Sequence, residues 1–191
     1  MYKILSAVYL IILITCPLRA QEFGTEGVWE TGGGISFASI TAVVDGESVD
    51  NSLNEFKLFI PVFYFVTNGL EIGLVPSFEL YSMGESSTIG FGFYPAIAYN
   101  INLESNIYPY IEGRIGYQTI STSTGSDDVT LDGLGWSILG GIKTEIGGNI
   151  LLNFGLGYAQ QTLENESWEG ERSGKNLIAF NIGISMFLGK D

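Results

Sequence analysis

From Gln21 to its end, the chain alternates between large apolar residues and small or polar residues in eight separate segments. Within one of them, Phe154, Leu156 and Tyr158 share one face of an extended chain, and Gly155 and Gly157 share the other. A period of two is the pattern of a β-strand, and no run of ten or more residues after Gln21 has helical periodicity. The sequence therefore predicts an all-β protein. The segments are 28–41, 54–66, 70–82, 89–101, 107–120, 134–146, 150–163 and 176–188.

The connections between these segments alternate in length. Short turns rich in Gly and Asn lie at 67–69, 102–106 and 147–149. Longer polar connections separate the other segments, and they are 42–53, 83–88, 121–133 and 164–175. Strict alternation of short and long connections is typical of an up-and-down antiparallel meander with its short turns at one end.

The character of the two faces predicts which of them points outward. The second face is mostly Gly, Ala, Ser and Asn, which is a poor surface for contact with water. Eight strands also enclose an interior too narrow for dozens of large apolar side chains. We therefore expect the large residues to face lipid, in an eight-stranded antiparallel up-and-down transmembrane β-barrel. Each segment exceeds the ~9–11 residues that a tilted strand needs to cross a bilayer.

Closure of the barrel is required by hydrogen bonding. Lipid offers no partner to backbone N–H and C=O groups, so strands can cross a membrane only when the sheet has no free edge. We therefore expect the final segment, 176–188, to pair with the first, 28–41.

The N-terminus has the features of an export signal. Lys3 is followed by the apolar run 4–14 and then by Pro17, which predicts a Sec signal peptide over 1–20, cleaved after Ala20. Residues 21–191 then form a single domain. A membrane-anchoring helix is the alternative, but the run is shorter than the ~20 residues of a span. A lipid-modified Cys16 is a further alternative; cleavage after Ala20 removes this single cysteine, so the mature chain has no disulfide.

Charge and composition exclude several classes of function. The net charge of −13 argues against a nucleic-acid partner, which needs a basic patch. The chain has no histidine, so catalysis by a histidine base is excluded, and its glycines form neither a dinucleotide-binding nor a phosphate-binding loop. We therefore expect no enzyme activity, no cofactor and no metal site.

Four charged residues are predicted to project into the barrel interior. Glu112, Arg114, Lys143 and Glu145 lie on the small, polar faces of adjacent segments. Charges in a narrow interior of low dielectric constant must be paired, so we expect a salt-bridge cluster that fills and stabilises the barrel. The alternative is a gate whose rearrangement passes small ions. From the second and third segments, Lys57 and Glu79 are candidates to join this cluster.

Two further groups of residues suggest contacts outside the barrel. We expect aromatic side chains near the segment ends to form interfacial belts, and they are Trp29, Tyr81, Tyr108, Trp136 and Tyr158. Carboxylates crowd the long connections, and these are Asp45, Glu47, Asp50, Asp127, Asp128, Asp132, Glu164, Glu166, Glu169 and Glu171. We interpret them as solvated loop residues; the alternative is that they bind divalent cations that bridge lipopolysaccharide phosphates.

The end of the chain resembles a known assembly signal. Asn181, Gly183, Met186 and Leu188 have the order and spacing of the C-terminal β-signal of Gram-negative outer-membrane barrels, except that the last position, often aromatic, is Leu188. Together with the eight-strand layout and the opening "WETGGGISF", the chain resembles the small OmpA-like and OmpX-like barrels. The resemblance implies recognition by the barrel-assembly machinery, contact with outer-membrane lipid and lipopolysaccharide, and a location in the bacterial outer membrane.

Three hypotheses about function remain from the sequence. The first is a monomeric outer-membrane barrel with a structural and surface-contact role, which acts through its loops. The second is a narrow, porin-like ion channel through the polar interior. The third is a soluble secreted barrel that carries an apolar ligand, as lipocalins do.

Overall fold

The computed structural model describes residues 23–44, 47–83, 86–124, 127–164 and 172–189. These residues form β-strands joined by turns, and no helix in the described ranges is long and apolar enough to cross a membrane. The strands are β1 (Trp29–Val44), β2 (Glu47–Phe59), β3 (Val62–Thr67), β4 (Leu70–Met83), β5 (Ser86–Asn100), β6 (Ile107–Thr124), β7 (Asp127–Gly147), β8 (Ile150–Glu164) and β9 (Arg172–Leu188).

The strands form one closed antiparallel barrel in which neighbours in sequence are neighbours in space. Strands β2 and β3 both lie between β1 and β4, so together they occupy one of eight positions. The barrel closes where β1 pairs with β9, from Trp29 opposite Leu188 to Val44 opposite Ser173. The predicted eight-stranded barrel and the predicted closing pair are confirmed.

The second position in the barrel wall is interrupted at Ile60 and Pro61, in the middle of the segment that the sequence predicted as one strand. Proline has no N–H to donate to the ladder. Two other backbone groups at the break are bonded: the Ile60 N–H donates to the Pro76 carbonyl at 3.0 Å, and the Pro61 carbonyl accepts from Gly32 N at 3.2 Å. The wall is therefore locally irregular but still joined to both neighbours.

The long polar connections 42–53, 83–88 and 121–133 are mainly strand in their described residues, which corrects the prediction of loops there. Strand β6 runs to Thr124 and β7 begins at Asp127, inside the predicted connection 121–133. Strands β1 and β2 approach each other in the same way, from Val44 to Glu47. Above the lipid both faces of a strand meet water, so the hydrogen-bond ladder continues without apolar alternation. The barrel therefore extends well beyond its apolar part as paired hairpins.

The faces of the strands are oriented as predicted, with large apolar side chains outside. Phe91, Ile138 and Ile184 are 44%, 53% and 56% exposed, although each is a residue that normally seeks a core. We call this outer surface the apolar belt, and its members include Ile72, Phe78, Phe91, Phe93, Ile97, Ile111, Ile115, Ile138, Leu156, Phe180 and Ile184. An apolar surface that encircles a closed barrel requires lipid around it.

The interior is less uniformly small than the sequence predicted. Phe59, Phe63 and Tyr94 point inward and are buried, and the Tyr110 ring also lies inside. Glycines make room for these rings: a Cβ on Gly155 would stand 2.5 Å from the Tyr110 hydroxyl. The lumen is therefore filled by a few large aromatic rings set against glycines, as well as by small and charged side chains.

Three of the five predicted interfacial aromatic residues, Trp29, Trp136 and Tyr158, lie on the outer surface. Trp29 packs against Tyr64 with 4.9 Å between ring centroids, and Trp136 packs against Tyr158 at 5.7 Å. The prediction was wrong for Tyr108, whose side chain points inward and is only 6% exposed. The side chain of Tyr81 lies outside the described residues.

Candidate functional site

The lower lumen, near the short turns, holds a buried group of one base and two acids. The Lys143 ammonium lies 2.6 Å from Glu30 Oε2 and 2.7 Å from Glu71 Oε1, and all three side chains are almost fully buried. Ser185 Oγ donates to the second oxygen of Glu30 at 2.7 Å, and Asn100 Nδ2 donates to Glu71 at 2.9 Å. We call Glu30, Glu71 and Lys143 the lower cluster. Its members come from β1, β4 and β7, so it links strands across the lumen.

Aromatic rings surround the ammonium of the lower cluster. Lys143 Nζ is 5.3 Å from the ring centroids of Phe23 and Tyr110 and 5.8 Å from that of Phe63. Cation–π attraction is strongest where water is excluded, as it is here. The rings therefore complete the surroundings of a charge that two carboxylates already neutralise.

The middle of the lumen holds an ion pair within strand β6. Arg114 Nε donates to Glu112 Oε1, and the Arg114 guanidinium carbon lies 5.5 Å from the Phe59 ring centroid. Both side chains are largely buried. This pair lines one cavity with Glu30 and Lys143, but Lys143 forms its ion pairs with Glu30 and Glu71.

The four charged residues predicted from the sequence are not joined to one another in a single network of ion pairs within the described residues. The structure brings Glu112 to Arg114 and gives Lys143 other partners. Glu145, at the short-turn end of β7, forms no ion pair within the part of the chain that the structure describes. Strand register decides which charged side chains meet, and the alternation pattern of the sequence does not specify the register.

The upper lumen has its own ion pairs. Lys57 Nζ contacts a carboxylate oxygen of Glu79 and lies 3.4 Å from Glu55 Oε1, and Lys175 Nζ lies 3.6 Å from Glu55 Oε2. We call Glu55, Lys57, Glu79 and Lys175 the upper cluster. Lys57 and Glu79, which the sequence offered as candidates to join the predicted charge cluster, therefore pair with each other in the upper lumen.

A polar chain of side chains crosses the lumen beside the upper cluster. The Tyr94 hydroxyl donates to Gln118 Oε1 at 2.5 Å, and Gln118 Nε2 donates to Gln161 Oε1 at 2.9 Å. A cavity of about 60 Å³ lies here, with Tyr94, Arg114 and Gln161 among its lining residues. This volume exceeds the roughly 10–15 Å³ that a cavity needs to hold a water, and polar side chains line it, so it has room for water.

Sequence reasoning missed Glu30, Glu55, Glu71 and Lys175 as lumen residues. The alternation of the sequence could have identified Glu71, because it stands between Leu70 and Ile72, which face outward. Glu79 stands in the same way between Phe78 and Leu80. For Glu55 and Lys175 no such contrast exists, since their strands are leaving the apolar part of the barrel.

Most of the acidic side chains of the long connections lie outside the described residues. Of the ten carboxylates that the sequence singled out there, the side chains of Asp132 and Glu164 alone are described. Within the described ranges, no three Asp, Glu, His or Cys side chains lie together in a way that could hold a metal ion. The expectation of solvated loops lies mostly outside the described residues.

The residues of the predicted assembly signal all lie on β9, at the closing seam. Asn181 and Gly183 face the lumen, while Met186 and Leu188 face outward. Leu188 lies opposite Trp29, the first residue of β1. A role in assembly stays a prediction, and the outward position of Leu188 allows it to be tested without disturbing the lumen.

We expect Leu188→Ser to lower the folded fraction of the protein in cells several-fold, because it removes the last apolar position of the signal. The barrel should still refold from denaturant into detergent, where no assembly machinery takes part. The measurement is the fraction of the protein that runs as the faster, folded band when samples are loaded on a gel without heating. It is made on cell membranes and on protein refolded in detergent. Leu103→Ser, which changes an exposed Leu in the turn after β5, is the control and should leave both fractions unchanged. Equal loss in both preparations would assign Leu188 to packing alone.

The structure was compared with known proteins. No family model matches the sequence, and no curated protein matches it. Solved structures do match. Neisserial surface protein A has a TM-score of 0.60 and 18% identity over 84% of this chain and 99% of its own. The outer membrane protein AlkL, solved in lipid bilayers, has a TM-score of 0.59 and 13% identity over 91% of this chain and 95% of its own.

A third similar structure is the outer membrane protein OprG from Pseudomonas aeruginosa, with a TM-score of 0.54 and 14% identity over 87% of this chain and 98% of its own. Identities this low establish the fold and leave function open. The expected bacterial outer-membrane location agrees with these neighbours and with the apolar belt. The chain has the fold of the small eight-stranded outer-membrane β-barrel proteins.

Proposed function

We propose that the protein is an integral outer-membrane barrel with a structural and surface-contact role. The observation that carries this proposal is a lumen filled by side chains beneath hairpins that project beyond the apolar belt. A filled lumen favours a scaffold over a conduit, and the projecting hairpins provide a surface on the side opposite the short turns. On this proposal the barrel acts as a monomer, without cofactor and without catalysis, and its partners are lipid, lipopolysaccharide and the assembly machinery.

Side chains occupy the lumen from one charge group to the next, and small cavities remain between them. The lower cluster closes the section near the short turns, and Arg114 with Phe59 fills the middle. Hydrogen bonds of Tyr94, Gln118 and Gln161 connect β5, β6 and β8 inside the upper section. An ion that crossed the barrel would have to separate buried ion pairs, each costly to break because the remaining partner is left unpaired.

The projecting hairpins are ordered by the same ladder that forms the wall. Strands β6 and β7 remain paired as far as Thr124 and Asp127, and the Ser121 and Thr130 hydroxyls lie 3.1 Å apart on the exposed face. A paired hairpin keeps its shape better than a loop, because its backbone groups are already bonded. This supports a contact surface held at a fixed height above the membrane.

A shortened hairpin tests the surface role. Residues 119–132 of β6 and β7 would be replaced by an Asn-Gly turn, which joins Gln118 to Gly133, its partner in the ladder. In cells that lack the native protein, we expect the shortened barrel to restore resistance to detergent while attachment of the cells to glass falls several-fold. Full attachment with the shortened barrel would contradict a role for this hairpin.

A narrow channel is the second candidate, and the 60 Å³ cavity favours it. Planar-bilayer recordings of the purified barrel distinguish the two functions. The scaffold proposal expects no conductance steps, for the native barrel or for Glu112→Ala. Regular steps in the native barrel that change with Glu112→Ala or Lys143→Ala would support the channel instead.

A further inference from the structure

The residues just before β1 fold across the short-turn end of the barrel. Phe65 N donates to the Val28 carbonyl at 2.9 Å, Gly27 N donates to the Phe65 carbonyl at 2.9 Å, and Gly69 N donates to the Gly24 carbonyl at 2.7 Å. Gly24 and Gly27 have φ of 85° and 89°, values that glycine adopts without strain. The segment 23–28 is therefore bound to the end of strand β3 and to the turn that follows it.

This segment inserts one aromatic ring into the mouth of the barrel. Phe23 is only 1% exposed, and its ring centroid lies 5.2 Å from that of Phe65, 4.7 Å from Tyr108 and 5.5 Å from Phe187. These three rings belong to β3, β6 and β9, which stand at different points around the barrel. Phe23 therefore occupies the space between strands that do not touch one another.

The ring of Phe23 also lies against the lower cluster. Its centroid is 5.3 Å from Lys143 Nζ, the ammonium that neutralises Glu30 and Glu71. Within the described residues, Phe23 and Val28 are the members of this aromatic and aliphatic group that no barrel strand supplies. Withdrawal of the segment would leave a gap at the mouth and bring water to Lys143.

We propose that segment 23–28 is a lumen plug, in which Phe23 seals the short-turn end of the barrel and keeps water from the lower cluster. A segment that only fastened the chain end to the wall would need the backbone hydrogen bonds of Gly24 and Gly27 and no buried ring. The plug goes beyond the proposed surface role and rests on the fold alone. Cleavage after Ala20 leaves Phe23 in the mature chain.

Cysteine labelling tests the plug with little background, because the single native cysteine, Cys16, lies in the predicted signal peptide. The reporter is Ser185→Cys, at a side chain that is 1% exposed and bonded to Glu30 in the lower cluster. The reference reporter is Ala159→Cys, which lines the upper cavity. The measurement is the rate of reaction of each thiol with a small cationic methanethiosulfonate, in folded barrel purified in detergent.

We expect Phe23→Ala to raise the labelling rate of the Ser185→Cys reporter about tenfold or more, since local opening controls access to buried sites. The rate at the Ala159→Cys reporter should stay within about twofold, because the mouth is not its route to water. Phe23→Leu keeps most of the apolar volume and should give an intermediate rate. It also provides a folded variant if Phe23→Ala does not fold, as judged by its gel band.

Three outcomes would overturn the plug. If the Ser185→Cys reporter reacts slowly with and without Phe23, the strand residues Phe65, Tyr108 and Phe187 close the mouth by themselves. If it reacts rapidly while Phe23 is present, the mouth is open. An equal increase at the Ala159→Cys reporter would mean general loosening of the barrel, which also contradicts a local seal.

Discussion

Replacing Lys143 with Met is expected to lower the free energy of unfolding of the barrel by about 3–5 kcal/mol, the usual cost of removing one partner from a buried ion pair. Lys143 neutralises two carboxylates, so the change leaves both Glu30 and Glu71 charged or forces them to take up protons. Met retains most of the side-chain volume, which separates loss of charge from loss of packing. The measurement is the urea dependence of folding in lipid vesicles, followed by tryptophan fluorescence.

A matched control and a rescue distinguish loss of the buried ion pairs from a general effect of changing a charge in the lumen. Glu145→Gln is the control, because Glu145 also faces inward from β7, two residues from Lys143. Among the described residues, Glu145 forms no ion pair. The control substitution should alter stability by less than about 0.5 kcal/mol. Adding Glu30→Gln and Glu71→Gln to Lys143→Met removes both stranded charges and should recover much of the loss.

The contrary result would also be informative. Equal, small effects of Lys143→Met and Glu145→Gln would mean that water reaches the lower lumen and screens Glu30 and Glu71. A large effect that the two Gln substitutions fail to reduce would assign the loss to packing against Phe23 and Tyr110 instead of charge.

The orientation of the strand faces could be read from the sequence because lipid imposes a strong contrast. Along β5, the outward Phe91 and Phe93 alternate with Gly90 and Gly92, and this alternation alone identifies the lipid side. The same contrast disappears where strands rise above the apolar belt. There β6 continues to Thr124 with polar residues on both faces, which a sequence pattern cannot distinguish from a loop.

The partners of the lumen charges could not be read from the sequence, because they depend on closure and register. Glu30 and Lys143 are 113 residues apart, and they meet only because β1 and β7 face each other across the lumen. The ring of Phe23 was missed for a related reason, since it enters from a segment that belongs to no strand. Local alternation indicates which side a residue faces, and only the closed barrel determines which residues it meets.

Replacing Leu156 with Lys is expected to cost about 2–4 kcal/mol of folding free energy in lipid vesicles, the range for a lysine near the middle of a lipid-facing surface. Leu156 is 61% exposed and lies between Gly140 of β7 and Phe180 of β9. In water, an exposed Leu replaced by Lys would be neutral within about 0.5 kcal/mol. The sign and size of this effect therefore distinguish a membrane barrel from a soluble ligand carrier.

Thr162→Lys is the control for this experiment, because Thr162 lies on the same strand and the same exposed face, six residues farther from the short turns. Its lysine should stand beyond the apolar belt and change stability by less than about 0.5 kcal/mol. If both lysines cost the same, position along β8 does not matter and the belt has no defined height. If Leu156→Lys instead improves recovery of folded protein in detergent-free buffer, the large side chains face water, and the lipid-facing orientation on which the proposed location and role depend is wrong.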